Sequence, residues 1–237
     1  MIVKKRSVAA RPTRKPRVTL SSDDIYDRVK EMAARFEFRP NERINEIELS
    51  KALNVSRTPL REVLNQLMVE GFLTREQNRG FIARALNPQE ILHLYEFRRS
   101  VEISIATLAC ERGTDEEIAG LAAFSKEAAK ASKANDAARM VALDEEFHLA
   151  LARMARNPEY ERVLRNINAR IHYIRWIDMR QRHVYTQNEH DQIVAAMKKR
   201  SVTEVRKLLE QHINRRLDQI VEAVKAGYAE IYTRVPN

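Results

Sequence analysis

Asn54-Val55-Ser56-Arg57-Thr58-Pro59-Leu60-Arg61 opens the segment whose pattern decides the fold. Followed to about Glu70, it reads as a short amphipathic helix. Leu60, Val63, Leu64 and Leu67 fall on one side of a helical wheel, and Thr58, Arg61, Glu62 and Asn65 fall on the other. Ser56 or Thr58 can cap the first turn, and Pro59 is tolerated there because its missing N–H would have no helical partner. Arg57 and Arg61 sit near the amino end, where a helix lying in the major groove presents side chains to base edges. The planar Arg fork also matches guanine O6 and N7. The stretch reads as a DNA recognition helix.

Upstream, Ile25, Val29, Met32 and Phe36 repeat at helical spacing, and Asn45 to Leu53 forms a second short helix ending at the turn Asn54-Val55. Downstream come Gly71-Phe72-Leu73-Thr74-Arg75, a polar turn Glu76-Gln77-Asn78-Arg79-Gly80, and Phe81-Ile82-Ala83-Arg84. That is strand, tight turn, strand, with Gly80 supplying the permissive backbone. Three helices and a β-hairpin make a winged helix-turn-helix. The order of elements and the words NVSRTPLREVLNQLMVEGFLT and NRGFIAR closely resemble the DNA-binding domain of GntR-family bacterial transcription regulators over about residues 24–84. By that likeness Arg57, Thr58 and Arg61 contact bases or phosphates, Ser56 lies close by, and Gly80 stands at the wing tip. Asn65 and Arg79 complete the expected DNA-facing set. One position departs: where many members carry a DNA-contacting Arg on the second helix, this chain has Ile47.

A chain of 237 residues has room for two cores. Only five Gly and seven Pro, against abundant Ala, Leu, Glu, Lys and Arg, predict a mainly α protein. The formal charge of +9 is uneven: Lys4, Lys5, Arg6, Arg11, Arg14, Lys15 and Arg17 put +7 on residues 1–20 and leave +2 on the rest. Such an arm reads as disordered alone and able to lie along phosphates, or simply as a solvated tail. Cys110 is the only cysteine, which excludes an intramolecular disulfide and suits a reducing cytoplasm; a small buried residue is the expected role. Residues 1–20 lack the apolar core of a signal peptide and no run approaches membrane-spanning length, so a cytoplasmic protein without a membrane partner is expected.

Beyond the wing, Ala85-Leu86-Asn87-Pro88 reads as a linker ending in an N-cap with Pro at the first helical position. Thr114-Asp-Glu-Glu117, Thr186-Gln-Asn-Glu189 and Ser201-Val-Thr-Glu204 have capping-box spacing, and Asn135 and Asn157-Pro158 mark further starts. These signals predict helices at about 89–112, 115–133, 136–156, 158–182, 187–199 and 202–227, an all-α antiparallel bundle. The expected organisation is a basic arm (1–20), a winged helix-turn-helix (21–84), a linker (85–88), a helical effector and dimerisation domain (89–228) and a tail (229–237).

The bundle's first helix holds an anomaly. Arg98 falls within the apolar stripe Ile91, Leu94, Val101, Ile105 and Leu108, and a buried Arg needs a partner. Either it bridges to Glu102 one turn on, or it waits in a cavity for a carboxylate or phosphate. Periodicity leaves both open. Asp144 and His148 lie one turn apart on one face, His190 shares a face with Ile193, Val194 and Met197, and His212 lies close to Leu208, Leu209 and Ile213. Each alone reads as a core histidine; together they are polar groups pointing inward from different helices, where a bundle can assemble a metal site. His93, His172 and His183 follow no such pattern.

ANDAARMVALDEEFHLALARMARNPEY, EHDQIVAAM and then His212 look like the FCD effector domain of the FadR subfamily of GntR regulators, and LYEFRRSVEISIATLAC is similar to its opening helix, over roughly residues 88–225. That resemblance implies a divalent ion on Asp144, His148, His190 and His212, and a small organic acid as effector, with Arg98 matching an Arg that commonly precedes Glu102. Nitrogen and oxygen donors suit Zn²⁺, Ni²⁺ or Mn²⁺, zinc being the expectation. The whole reads as a ligand-responsive repressor that binds double-stranded operator DNA as a homodimer. A metal-responsive regulator without an organic effector is the alternative. A helical metalloenzyme is the weakest reading. Glu145-Glu-Phe-His148 gives one site histidine a Glu-x-x-His, and Gln187 and Leu209 stand where the other two would need a Glu.

Overall fold

The computed structural model describes residues 20–132, 136–214 and 217–233; the predicted basic arm therefore lies, apart from Leu20, outside the described residues, as does the predicted cap Asn135. α1 (Ser22–Ala34) starts from a reciprocal capping box in which Asp24 N donates to Ser21 Oγ (3.1 Å) and Ser21 N to Asp24 Oδ2 (3.0 Å). α1 ends short of Phe36, contrary to the expected stripe. Phe36 takes φ +52° and turns away to pack against Tyr173, with ring centroids 5.3 Å apart and the planes tilted by 52°. α2 (Glu46–Ala52) is capped by Asn45, whose Oδ1 accepts from Ile47 N at 3.1 Å. Asn54, at φ +55°, turns the chain into α3 (Arg57–Val69). Leu60, Val63, Leu64 and Leu67 are all buried, as the periodicity requires. Ser56 holds the N-cap position, but its hydroxyl makes no capping bond.

β1 (Leu73–Glu76) and β2 (Gly80–Ala83) pair antiparallel, Leu73 opposite Ala83 and Glu76 opposite Gly80. Asn78 (φ +67°) and Gly80 (φ +78°) supply the left-handed backbone of the turn. Ile25, Val29, Leu60, Leu64, Leu67, Phe72 and Phe81 close the first core.

The rest is helical among the described residues: α4 (Pro88–Arg112), α5 (Asp115–Ser132), α6 (Ala137–Met154), α7 (Pro158–Lys198), α8 (Val202–Ile213) and α9 (Leu217–Thr233). Asn87 and Asn157 cap as predicted, each with Pro behind it, and Thr114 and Glu117 form the predicted box. α6 is capped by Asp136, whose Oδ1 accepts from Arg139 N. Two boundaries differ from expectation. The predicted helices at 158–182 and 187–199 are one 41-residue helix, α7, about 60 Å long. Residues 159–198 contain neither Gly nor Pro, and a capping-box spacing starts a helix only where the preceding chain has left one. Conversely, the predicted helix 202–227 is interrupted at Asn214, which takes ψ 125°, and α9 runs on to Thr233. Ser201 holds its N-cap position without a side-chain bond.

The second core gathers α4 to α9 around Ile105, Phe147, Leu151, Leu164, Ile167, Ile171 and Leu209. It also takes in Phe36, while Ala169 of α7 packs against the first core, so the two cores meet along α7. Among the described residues no helix is long and apolar enough to cross a membrane.

Candidate functional site

The outer face of α3 stays free for a partner. Ser56, Arg57, Thr58 and Arg61 are exposed and Asn65 is half-buried. Arg57 is the first residue of the helix, the first turn holds no acid, and neither Arg57 nor Arg61 makes an ion pair among the described residues. An uncompensated Arg at the positive end of a helix attracts anions. Arg79 is exposed in the wing turn beside Glu76 (2.6 Å), and the Cβ position of Gly80 has nothing within 4 Å. Ile47 is 49% exposed, an apolar side chain on the surface of α2.

The second cluster is closed. α6 contributes Asp144 and His148, α7 contributes His190 and α8 contributes His212, all buried. One ligand atom from each lies within 4.8 Å of all the others. His148 Nε2 is 3.0 Å from His212 Nε2, His190 Nε2 is 3.3 Å from His212 Nε2, and Asp144 Oδ1 is 3.2 Å from His190 Nε2. Phe147 stacks on His190 at 3.9 Å and walls the site.

The outward nitrogens decide what the inward ones can do. His148 Nδ1 meets Glu102 Oε2, and His212 Nδ1 meets Glu189 Oε2 at 2.7 Å. An ionised carboxylate only accepts, so each Nδ1 carries the proton and each Nε2 presents a lone pair. Burial, reinforced by the neighbouring imidazoles, holds His190 and His212 well below the ordinary histidine range. His148 is also lowered, by burial, against the pull of Glu102. Neutral rings whose lone pairs meet at 3.0 Å cannot hydrogen-bond one another, and beside a carboxylate oxygen they make a pocket that calls for a positive centre. The donor set fits a first-row divalent ion, with the second-contact carboxylates that orient metal-bound imidazoles already in place.

Both readings of Arg98 find something in this geometry. Its Nε donates to Glu102 Oε1 at 2.6 Å, the predicted bridge, while Nη2 is buried without a partner among the described residues. Burial alone would raise the Glu102 carboxyl, but the Arg98 and His148 charges outweigh it and hold Glu102 below the usual carboxylate range. On the other side, Arg175 of α7 ion-pairs with Asp144 and reaches Glu145 (3.4 Å) and Asn168 Oδ1 (3.5 Å). Arg175, Glu189 and the hold of Glu102 on His148 were missed from sequence. Arg175 was findable by the test that singled out Arg98, since Ile167, Ile171 and Ile174 make it a charge within an apolar stripe. Glu189, on a half-exposed position, carried no such signal.

The Glu that opens Glu145-Glu-Phe-His148 turns elsewhere: Glu145 lies 3.3 Å from His172 Nδ1 and is no part of the cluster. His93 is exposed against Gln89, and His183 lies outside the described side chains. Cys110 is buried on α4, its thiol raised by burial.

Comparisons with known proteins agree with this layout. The model of "Bacterial regulatory proteins, gntR family" matches residues 21–82, and that of the FCD domain matches residues 93–215. The chain is 43% identical over 203 residues to the Nta operon transcriptional regulator of Aminobacter aminovorans, covering 86% of this chain and 96% of that one. It is 25% identical over 240 residues to the HTH-type transcriptional repressor NanR of Salmonella newport (strain SL254), covering 88% and 87%. Among solved structures, E. coli McbR/YncC superposes with a TM-score of 0.66 at 17% identity, covering 89% of this chain and 96% of that one, a likeness of fold.

Proposed function

The chain belongs to the GntR family of bacterial regulators, with an FCD domain behind its winged helix, and from that footing we propose that it is a repressor released from its operator when a small carboxylate enters a metal-containing cavity. That it is a DNA-binding transcriptional regulator and not an enzyme follows from the family. In the finer reading, α3 lies in the major groove with Ser56, Arg57, Thr58, Arg61 and Asn65 toward the DNA, and Arg79 and Gly80 bring the wing to the backbone. A homodimer presents two such helices to a two-fold operator. NanR, a relative that is a repressor by name, lends support to the direction of control.

The observation that carries the cavity is the meeting of Asp144 with the Nε2 atoms of His148, His190 and His212, beside an Arg98 whose Nη2 is unspent. Asp144, His148, His190 and His212 would hold the ion, zinc being the first choice and nickel or manganese suiting the same donors. The ion would supply a positive centre for a carboxylate oxygen. Arg98 binds the far end of that carboxylate through Nη2, and Glu102 keeps Arg98 in place and His148 in its metal-binding tautomer. An effector acts only by binding the free and DNA-competent states unequally.

The test is elemental analysis of protein purified without added metal, paired with His148→Ala/His190→Ala and with operator titrations. The expected result is about one divalent ion per chain, lost in the variant, and an operator affinity that falls when a matching carboxylate is added. No ion after reconstitution would overturn the cavity reading. The compact, buried four-donor set also favours a second reading, in which the ion itself is the signal. Operator affinity that tracks metal without any carboxylate would select it.

A further inference from the structure

α7 works on two sides at once. Asn166, Ala169, Arg170 and Tyr173 share one face at helical spacing, and each engages the N-terminal domain or the chain leaving it. Asn166 Nδ2 donates to the carbonyl of Glu70, the C-cap of α3, at 3.2 Å. Ala169 packs against the first core and the Tyr173 ring packs, tilted, against Phe36. Arg170 accepts, through its carbonyl, a bond from Arg84 Nη2 just past the end of β2. Its guanidinium lies where a Cβ on Gly71 would stand 3.0 Å from Cζ. Ile171 and Arg175 lie on the roughly opposite face, toward the second core, where Arg175 ties down Asp144. Arg170 and Arg175 are only about 7.5 Å apart along the helix axis.

The joint between α7 and the DNA-binding domain holds two like charges. Arg84 is buried with its guanidinium over Phe36 (5.0 Å) and Phe72 (5.8 Å). Among the described residues neither Arg84 nor Arg170 has an ion-pair partner, and the Nε of each is buried without a hydrogen bond. Burial, then the neighbouring Arg170 charge, pulls Arg84 down to about 9. Two like charges drawn from water, with no ion-pair partner and only the attraction of Glu90 to offset them, oppose docking, and the Asn166 and Arg84 bonds favour it. A joint of that kind can be shifted by a modest change on the other face of the same helix.

We propose that Asn166 and Arg170 are positioning residues through which the state of the Asp144–Arg175 side of the cavity sets the orientation of the recognition helix α3. The proposal rests on the cavity reading above. It places the main coupling in α7, in contrast to the 85–88 linker and α4 that chain order alone suggests. One continuous helix carries contacts to both sites, which is the connection such coupling needs.

The test is hydrogen–deuterium exchange on the full chain, stripped of metal and then given one equivalent of Zn²⁺ alone, in wild type and in Asn166→Asp. The substitution keeps the side chain's size but sets an acceptor against the Glu70 carbonyl. In wild type, Zn²⁺ should slow exchange around 144–152 and 209–213 and change it several-fold in 66–72. In Asn166→Asp the first response should persist and the second should fall to a small fraction. Asn166→Ala, which deletes the bond without repulsion, should give the same pattern and serves if the Asp variant unfolds. A 66–72 response that is absent in wild type, or is undiminished in the variants, overturns the coupling while leaving the cavity reading intact. No response around 144–152 in wild type removes the cavity reading and this proposal with it.

Discussion

Replacing Glu102 by Gln tests the polar core where its charges are most tightly balanced. Glu102 is fully buried, with one oxygen taking the Arg98 Nε bond at 2.6 Å and the other meeting His148 Nδ1. Glutamine keeps the shape but can offer one carbonyl oxygen to two donors, and its amide N–H groups confront the second. Arg98, only 4% exposed, then keeps a charge without a counter-charge. Removing one partner of a buried pair costs about 3–5 kcal/mol, whereas removing both is often close to neutral. Glu102→Gln should therefore lower the transition of the helical domain by about 6–20 °C, at about 2–4 °C per kcal/mol for a chain of this size. Arg98→Met/Glu102→Gln should recover at least half of that loss. Thermal unfolding in excess EDTA keeps any ion out of the comparison, and the double-mutant cycle isolates the pair. With metal present, loss of the His148 orienting carboxylate should weaken affinity by a further 10–100-fold or so. A single variant that loses under ~1 kcal/mol, or a double variant no better than the single, would refute the argument that Arg98 and Glu102 are held by each other's charge.

Other consequences are as direct. Arg61→Ala should weaken operator binding by about 5–150-fold, the loss of roughly 1–3 kcal/mol, in fluorescence anisotropy at fixed salt, with the fold unchanged. Unaltered binding would take Arg61 off the DNA surface. Gly71→Ala and Gly80→Ala meet similar backbone strain, at φ +81° and +78°, but only Gly71 faces the Arg170 guanidinium. Both should cost about 1 kcal/mol or more in denaturant melts, Gly71→Ala clearly the more; equal costs would mean that Arg170 yields freely. Burial alone would raise the Glu70 carboxyl, but hydrogen bonds from Lys30 (2.8 Å) and Tyr26 (2.8 Å) prevail and lower it. A carboxyl lowered in the folded state contributes stability that is present above about 4.5 and lost as pH falls through the folded value. Wild type should thus lose up to ~1 kcal/mol more than Glu70→Gln between pH 5 and 3, and parallel pH profiles would remove the contribution.

Local physics made much of the molecule legible in the chain. The side of α3 that is buried, the starts of α2, α4, α5 and α7, and the wing turn at Gly80 depend on residues within a few positions of one another, where periodicity and capping bonds operate. The i, i+4 pair Asp144 and His148 was readable for the same reason. Tertiary structure decided the rest. His148 and His212 are 64 residues apart, and that their Nε2 atoms face each other follows from how α6 and α8 pack. The carboxylates of Glu102 and Glu189, which fix the tautomers, come from other helices, as does Arg175 on Asp144. Phe36 left the stripe its spacing predicted because Tyr173 gave it a buried surface. Thr186 to Glu189 failed to start a helix because α7 never stopped. Spacing within one element records which face is apolar, but which partner covers that face is set by close packing between elements distant in sequence, and no local pattern encodes it.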